Sequence, residues 1–158
     1  MIQTLSVFRP THPKYYTVIN DTIVTNSMES SESRFKKSRE WTDTTTMYVM
    51  LQYKKWQMKD RKTVSLNAFH QQCVDGLFMD LGINKTATQV RDKVNNTRSS
   101  YHNILKQMQK GHFQWTQDKH LSMTKTVFNF MAMFFDSKAI LSVEAIDKKL
   151  SEIVSLNQ

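Results

Sequence analysis

Beyond residue 40 the chain settles into apolar residues spaced by three and four, the mark of helices with one buried face. Thr42 is a competent N-cap and Asp43 stands where the helix dipole favours a negative charge, so the first helix is predicted to start there. Thr46, Val49, Met50 and Tyr53 then fall at i, i+3, i+4 and i+7 and form a stripe for the core. Lys54, Lys55 and Lys59 are left in water, and the charged segment from Asp60 to Lys62 ends the helix. A second helix follows Ser65, with Leu66, Phe69, Cys73, Leu77 and Leu81 as its stripe and Gly82 as its C-cap. Gly76, inside it, is a weak point.

The third helix carries the clearest pattern. Thr86 and Gln89 have the spacing of a capping box, in which each side chain satisfies a backbone N–H of the other residue. Val90, Val94, Thr97, Tyr101, Leu105 and Met108 continue at three- and four-residue steps over about six turns, and Gly111 closes the helix. Phe113 and Trp115 follow. A fourth helix, from about Thr124 to Phe135, has Val127, Phe128, Phe130, Met131, Phe134 and Phe135 around most of its circumference, as in a helix buried among others or at a dimer interface. A last helix from Ser142 sets Val143, Ile146, Leu150, Ile153 and Val154 against Asp147, Lys148 and Lys149; its apolar face suits either the domain or a partner chain, including a second copy. No repeat of solenoid period is present.

Residues 1–40 differ. They hold both prolines, Pro10 and Pro13, and a polar run at 25–33 without apolar periodicity, which predicts a flexible tail. Tyr15, Tyr16, Val18, Ile19, Ile23 and Val24 would suit a strand but have no partner strand and stay unassigned. The tail ends in Arg34, Lys36, Lys37 and Arg39, a cluster that suits a solvated linker as well as a DNA-contacting arm or a nuclear-import signal. The expected organisation is a tail over 1–40, a helical domain over 41–140 and an amphipathic helix over 141–158.

Charge narrows the partners. Lys and Arg number 22 against 14 Asp and Glu, a net charge of +8, which favours nucleic acid or anionic lipid. Apolar residues make up 39%, enough for a core, and no run is long and apolar enough to cross a bilayer. Met1 to Pro10 holds one basic residue, Arg9, and does not read as a secretory signal, so a reducing intracellular compartment is expected. Cys73 is the only cysteine, which excludes an internal disulfide. His70 and Cys73 stand at i, i+3, but two ligands do not make a zinc site, and Cys73 falls on the core stripe. His12, His112 and His120 have no ligand spacing, and glycines scattered at 76, 82 and 111 cannot form a phosphate-cradling loop. Ten methionines suit an adaptable core or interface. The expectation is a non-enzymatic protein with no catalytic residues, cofactor or metal.

The polar face of the third helix holds Arg91, Lys93, Asn95, Asn96, Arg98, Ser99 and His102, with Asp92 the one acid between Asn84 and Gly111. Arg and Lys suit phosphates and guanine edges, Asn suits adenine and Ser suits phosphate oxygens. Most charged helix faces are merely solvated. This one departs from that rule by being nearly all positive, with its basic and amide groups crowded into the N-terminal half that a helix-turn-helix offers to the major groove.

Trp41-Thr42-Asp43 before the first helix resembles the W-T-x-E opening of Myb/SANT-like and trihelix domains. Phe69 stands at the place of that family's second aromatic. The run from Thr86 to Val94 and the segment Tyr101-His102-Asn103-Ile104-Leu105 resemble its third helix, Gly111-His112-Phe113-Gln114-Trp115-Thr116 resembles its G-F-x-W-D element, and Val127-Phe128 its V-W pair. Thr44, Thr45 and Thr46 replace the acids usual after the first tryptophan, and Thr116 replaces an Asp. Trp41 and Trp115 are read as core aromatics.

The resemblance, over about 41–140, implies an all-α fold: a three-helix helix-turn-helix core with one or two further C-terminal helices. It implies a nuclear protein that regulates transcription by binding double-stranded DNA, with the third helix, about 87–110, in the major groove. Arg91, Lys93, Asn95, Asn96 and Arg98 would make the contacts, and Lys85, His102 and Lys106 would face phosphate. Whether Asn95 or Asn96 reads a base depends on helix rotation. The alternative is a SANT-like protein-interaction module in a chromatin or transposon-related complex, for which histone tails are disfavoured by the positive helix. A basic membrane-surface role fits less well, because the apolar stripes are committed to a core.

Overall fold

The computed structural model describes residues 41–158 apart from 117, 118, 121, 137, 139 and 140; the expected tail, its strand-like run and the basic cluster at 34–39 lie outside the described residues. The fold is all-α. Among the described residues five α-helices succeed one another: α1 (Asp43–Lys55), α2 (Leu66–Leu81), α3 (Ala87–Gln109), α4 (Lys125–Phe135) and α5 (Val143–Leu156). Just before α4, β1 (Lys119–His120) and β2 (Met123–Thr124) form a two-residue antiparallel ladder in which Lys119 faces Thr124 and His120 faces Met123.

Each of the five described α-helices begins at a hydroxyl. Thr42, Ser65, Thr86, Thr124 and Ser142 each accept from the backbone N–H three residues on, at 3.1 to 3.2 Å. Each cap satisfies a donor that the helix itself cannot, worth about 1 kcal/mol. At α3 the predicted capping box closes, the Thr86 amide donating to Gln89 Oε1 at 2.9 Å. At α1 Thr45 takes the Glu/Gln role, accepting from the Thr42 amide at 3.0 Å. The predicted glycine stops hold as well: Gly82 (φ 67°) and Gly111 (φ 73°) adopt the left-handed backbone that ends α2 and α3. After Lys55 the chain widens into a π-helical turn, Trp56–Asp60, and the Trp56 indole N–H donates to the Val64 carbonyl at 2.8 Å, closing the turn into α2.

The core is organised around α1. Its predicted stripe is buried, but so is the next face: Tyr48, Val49, Met50 and Leu51 are consecutive and all 0% exposed. The other four helices all pack on it. The last one, α5, packs on α1 through buried Ile146, Leu150 and Ile153, and Lys55 Nζ lies 2.7 Å from Asp147 Oδ1. Thr124 Oγ1 donates to Asp43 Oδ1 at 3.0 Å while capping α4, so the starts of α1 and α4 are tied together.

Three stripe positions are corrected. Leu66 is 45% exposed because, as the first residue of α2, it precedes the part of that helix that meets the core. On α3, Ile104 takes the innermost place after Tyr101, a step of three where the predicted stripe took four, so Leu105 is half-buried and Met108 exposed.

Candidate nucleic-acid interface

Along α3, Val90, Val94, Thr97, Tyr101 and Ile104 turn inward. At 3.6 residues per turn the remaining positions divide into two flanks. Arg91, Asn95, Arg98, His102 and Lys106 follow one another up one flank at steps of four, three, four and four, and all five are exposed. Lys93, Asn96 and Ser100 climb the other flank, with Ser99 on the crest between them. The structure therefore brings five of the eight predicted residues together and separates Lys93, Asn96 and Lys85 from them.

The first flank borders the end of α1 and the body of α2. Arg98 Nη1 donates to Tyr53 Oη at 3.1 Å, and its guanidinium lies 5.3 Å from the centre of the Tyr53 ring. That ring is itself held in an aromatic cluster, 5.7 Å from Trp56 and 5.9 Å from Phe69. Arg98 is thus braced by a stack and a hydrogen bond, which lowers the entropy lost when its other N–H groups engage a ligand. Arg91 donates from Nε and Nη2 to Asp92 Oδ1 at 3.0 and 2.9 Å. Both partners are about half exposed, so the pair is weak and gives way readily to a stronger anion. Buried His70 is held below its usual pKa by desolvation and, second, by the charge of Arg91.

Lys85 does not stand where a phosphate contact was expected. It is 6% exposed, and its ammonium lies 4.8 Å over the Trp41 ring; Lys93 Nζ lies 5.7 Å from the same ring. Half-buried Trp41 packs against the core, as read from sequence, but it also gathers two cations by cation–π attraction, which turns Lys85 inward from the α2–α3 turn. Desolvation lowers the pKa of both lysines; for Lys93 the nearby Asp43 carboxylate opposes that effect and Lys85 adds to it. Lys93 also belongs to two adjoining depressions. One, of about 220 Å³, includes Trp41, Asp43, Thr46, Thr97, Ser122 and Thr124 in its walls; the other, of about 390 Å³, runs on past Asn96, Thr97, Ser99, Ser100 and Ser122.

Tyr53, Ser100 and Ser122 escaped the sequence reading as site residues. For Tyr53 a signal existed: a tyrosine on a core stripe needs a partner for its hydroxyl. The β1–β2 hairpin that places Ser122 was not anticipated. Cys73 is buried and its thiol is pushed up to about 12 by desolvation. Among the described residues, no group of three or more His, Cys, Asp or Glu is placed to hold a metal ion, and no helix is long and apolar enough to cross a membrane. No family model, curated protein or solved structure matches the chain.

Proposed function

We propose that this protein binds double-stranded DNA by laying α3 in the major groove, and that it acts in the nucleus as a regulatory DNA-binding protein of Myb/SANT-like type. The observation that carries this reading is the exposed flank Arg91–Asn95–Arg98–His102–Lys106, two guanidiniums, an amide, an imidazole and an ammonium in one row on a helix whose inner face, Val90, Val94, Thr97, Tyr101 and Ile104, is committed to the core. An α-helix fits the width of the major groove, where Arg pairs with guanine and Asn with adenine. Asn95 lies between the two arginines and is the better placed of the two asparagines to read a base beside them. His102 and Lys106, further along the row, suit the phosphate backbone.

Random-site selection with the purified chain tests the proposal. An enriched motif, bound in gel shift at physiological salt, is the expected result; no enrichment and no retardation of any duplex would overturn it. A second reading, a protein-interaction module in a chromatin or transposon-related complex, is favoured by Phe78 and Met79 at the end of α2, which are 54% and 78% exposed. Co-purification of a partner by the wild type, lost in a Phe78→Ser, Met79→Ser variant, together with absent DNA binding, would favour it.

A further inference from the structure

We infer that the groove on the far flank of α3 holds a backbone phosphate of the DNA strand opposite the one that meets Arg91 and Arg98. The inference rests on the DNA-binding reading above and adds a second, sequence-independent contact to it.

The larger depression is lined by Lys93, Asn96, Thr97, Ser99, Ser100 and Ser122. Each of these side chains carries an N–H or O–H donor and none is an acid. A phosphodiester offers only acceptor oxygens and one negative charge, so it complements such a lining, whereas a cation is repelled by the Lys93 ammonium and an apolar group leaves the donors unmet. Among the described residues Lys93 is in no ion pair; its ammonium rests over the Trp41 ring, and the carboxylate nearest in influence, Asp43, already accepts from Thr124. A partly desolvated ammonium held by a ring has much to gain from an arriving anion.

The placement follows from the helix. A helix in the major groove is bounded on either side by a sugar–phosphate backbone. The Arg91 and Arg98 flank meets one wall. Lys93 and Asn96 lie on the opposite flank, where the β1–β2 hairpin stands beside the helix and brings Ser122 to the groove.

The test uses the full chain and the selected duplex, with single phosphates replaced in turn by neutral methylphosphonates. Lys93→Gln is expected to weaken binding several-fold for matched and mismatched duplexes alike and to lower the slope of log K against log salt by about 1. Lys93→Arg should keep the slope, and Ser100→Ala should weaken binding without altering it. The phosphate whose neutralisation no longer matters in Lys93→Gln should lie on the strand across the groove from the phosphates to which Arg91→Ala is sensitive. Wild-type binding that depends on Arg91 and Arg98 but shows the same salt slope in Lys93→Gln would overturn this inference and leave the DNA reading intact, as would both phosphate sets falling on one strand. Absence of any DNA binding would overturn the reading itself and the inference with it. Titration with inorganic phosphate, followed by amide shifts at 93–100 and 122, separates a free-phosphate site: saturation below about 1 mM would overturn the assignment to a DNA strand, whereas no saturation supports it.

Discussion

Gly76 on α2 faces the hydroxyl of Tyr48 on α1 so closely that a Cβ at position 76 would lie 2.6 Å from Tyr48 Oη. Tyr48 is fully buried and donates to Asp80 Oδ2 at 2.6 Å, so the ring has little freedom to retreat. This glycine, a weak point by helix propensity, is where the two helices come into contact. Gly76→Ala would gain about 1 kcal/mol of propensity and lose about 1–3 kcal/mol to overpacking. The expected outcome is a lower Tm by circular dichroism, partly restored when Tyr48→Phe removes the obstructing oxygen; a higher Tm for the single variant would contradict the close approach.

The arginine flank makes a separate prediction. Arg91→Ala with Arg98→Ala should weaken binding of the selected duplex at least tenfold and reduce the salt slope by about 2, while far-ultraviolet dichroism stays unchanged. Tyr53→Phe keeps the ring under Arg98 but removes the oxygen that orients it. A smaller loss, about threefold, with an unchanged salt slope is expected in fluorescence anisotropy.

His70 sets a pH dependence of stability. Its folded pKa is below the ordinary value of 6.5, because burial and then Arg91 disfavour the imidazolium, so the unfolded chain binds the proton more readily. Stability is therefore full above about pH 6.5 and declines as the pH falls from there towards the folded pKa. Urea midpoints at pH 7.5 and 5.5 should differ in wild type and differ less in His70→Gln. An equal difference in both would assign the effect to other groups.

Cys73 should be chemically silent in the native state. With the thiol buried and pushed up to about 12, almost no thiolate exists at pH 8, and access is closed as well. A disulfide-exchange reagent should label it only at the rate of unfolding, and fully in denaturant. Rapid native labelling would show that the α2 interface opens locally.

What could be read from sequence was local. The caps at Thr42, Ser65, Thr86 and Ser142 and the stops at Gly82 and Gly111 depend on residues within one turn, and so were visible in the order of side chains. The inner stripe of α3 was visible as far as Tyr101; beyond it, steps of three and four are both helical, and spacing alone did not choose Ile104 over Leu105. The charged residues were harder. A lysine on a helix face is taken as wet, yet Lys85 and Lys93 are drawn to Trp41, a partner more than 40 residues away that no spacing rule reveals. The same distance hid the bracing of Arg98 by Tyr53. Division of the third helix into two flanks needed the rotation of α3 on α1, which tertiary packing alone determines.

A chain ending at residue 141 should fail to unfold cooperatively in urea. Removing α5 uncovers the side of α1 that Ile146, Leu150 and Ile153 close, and leaves Lys55 without Asp147. A sharp, wild-type-like transition in the truncated chain would show that the first four helices suffice.

The central position of α1 also has a consequence in time. The first helix of the described region to be synthesised is the one that every later helix must cover, and the last of them emerges about 100 residues after it. At a synthesis rate of about 5–20 residues per second, α1 spends roughly 5–20 s on the ribosome with part of its apolar surface open to water and to other nascent chains. The newborn chain is therefore a candidate for chaperone capture until α5 has emerged and packed, and mutations in α5 should reduce yield in the cell more than they reduce the equilibrium stability of protein already folded.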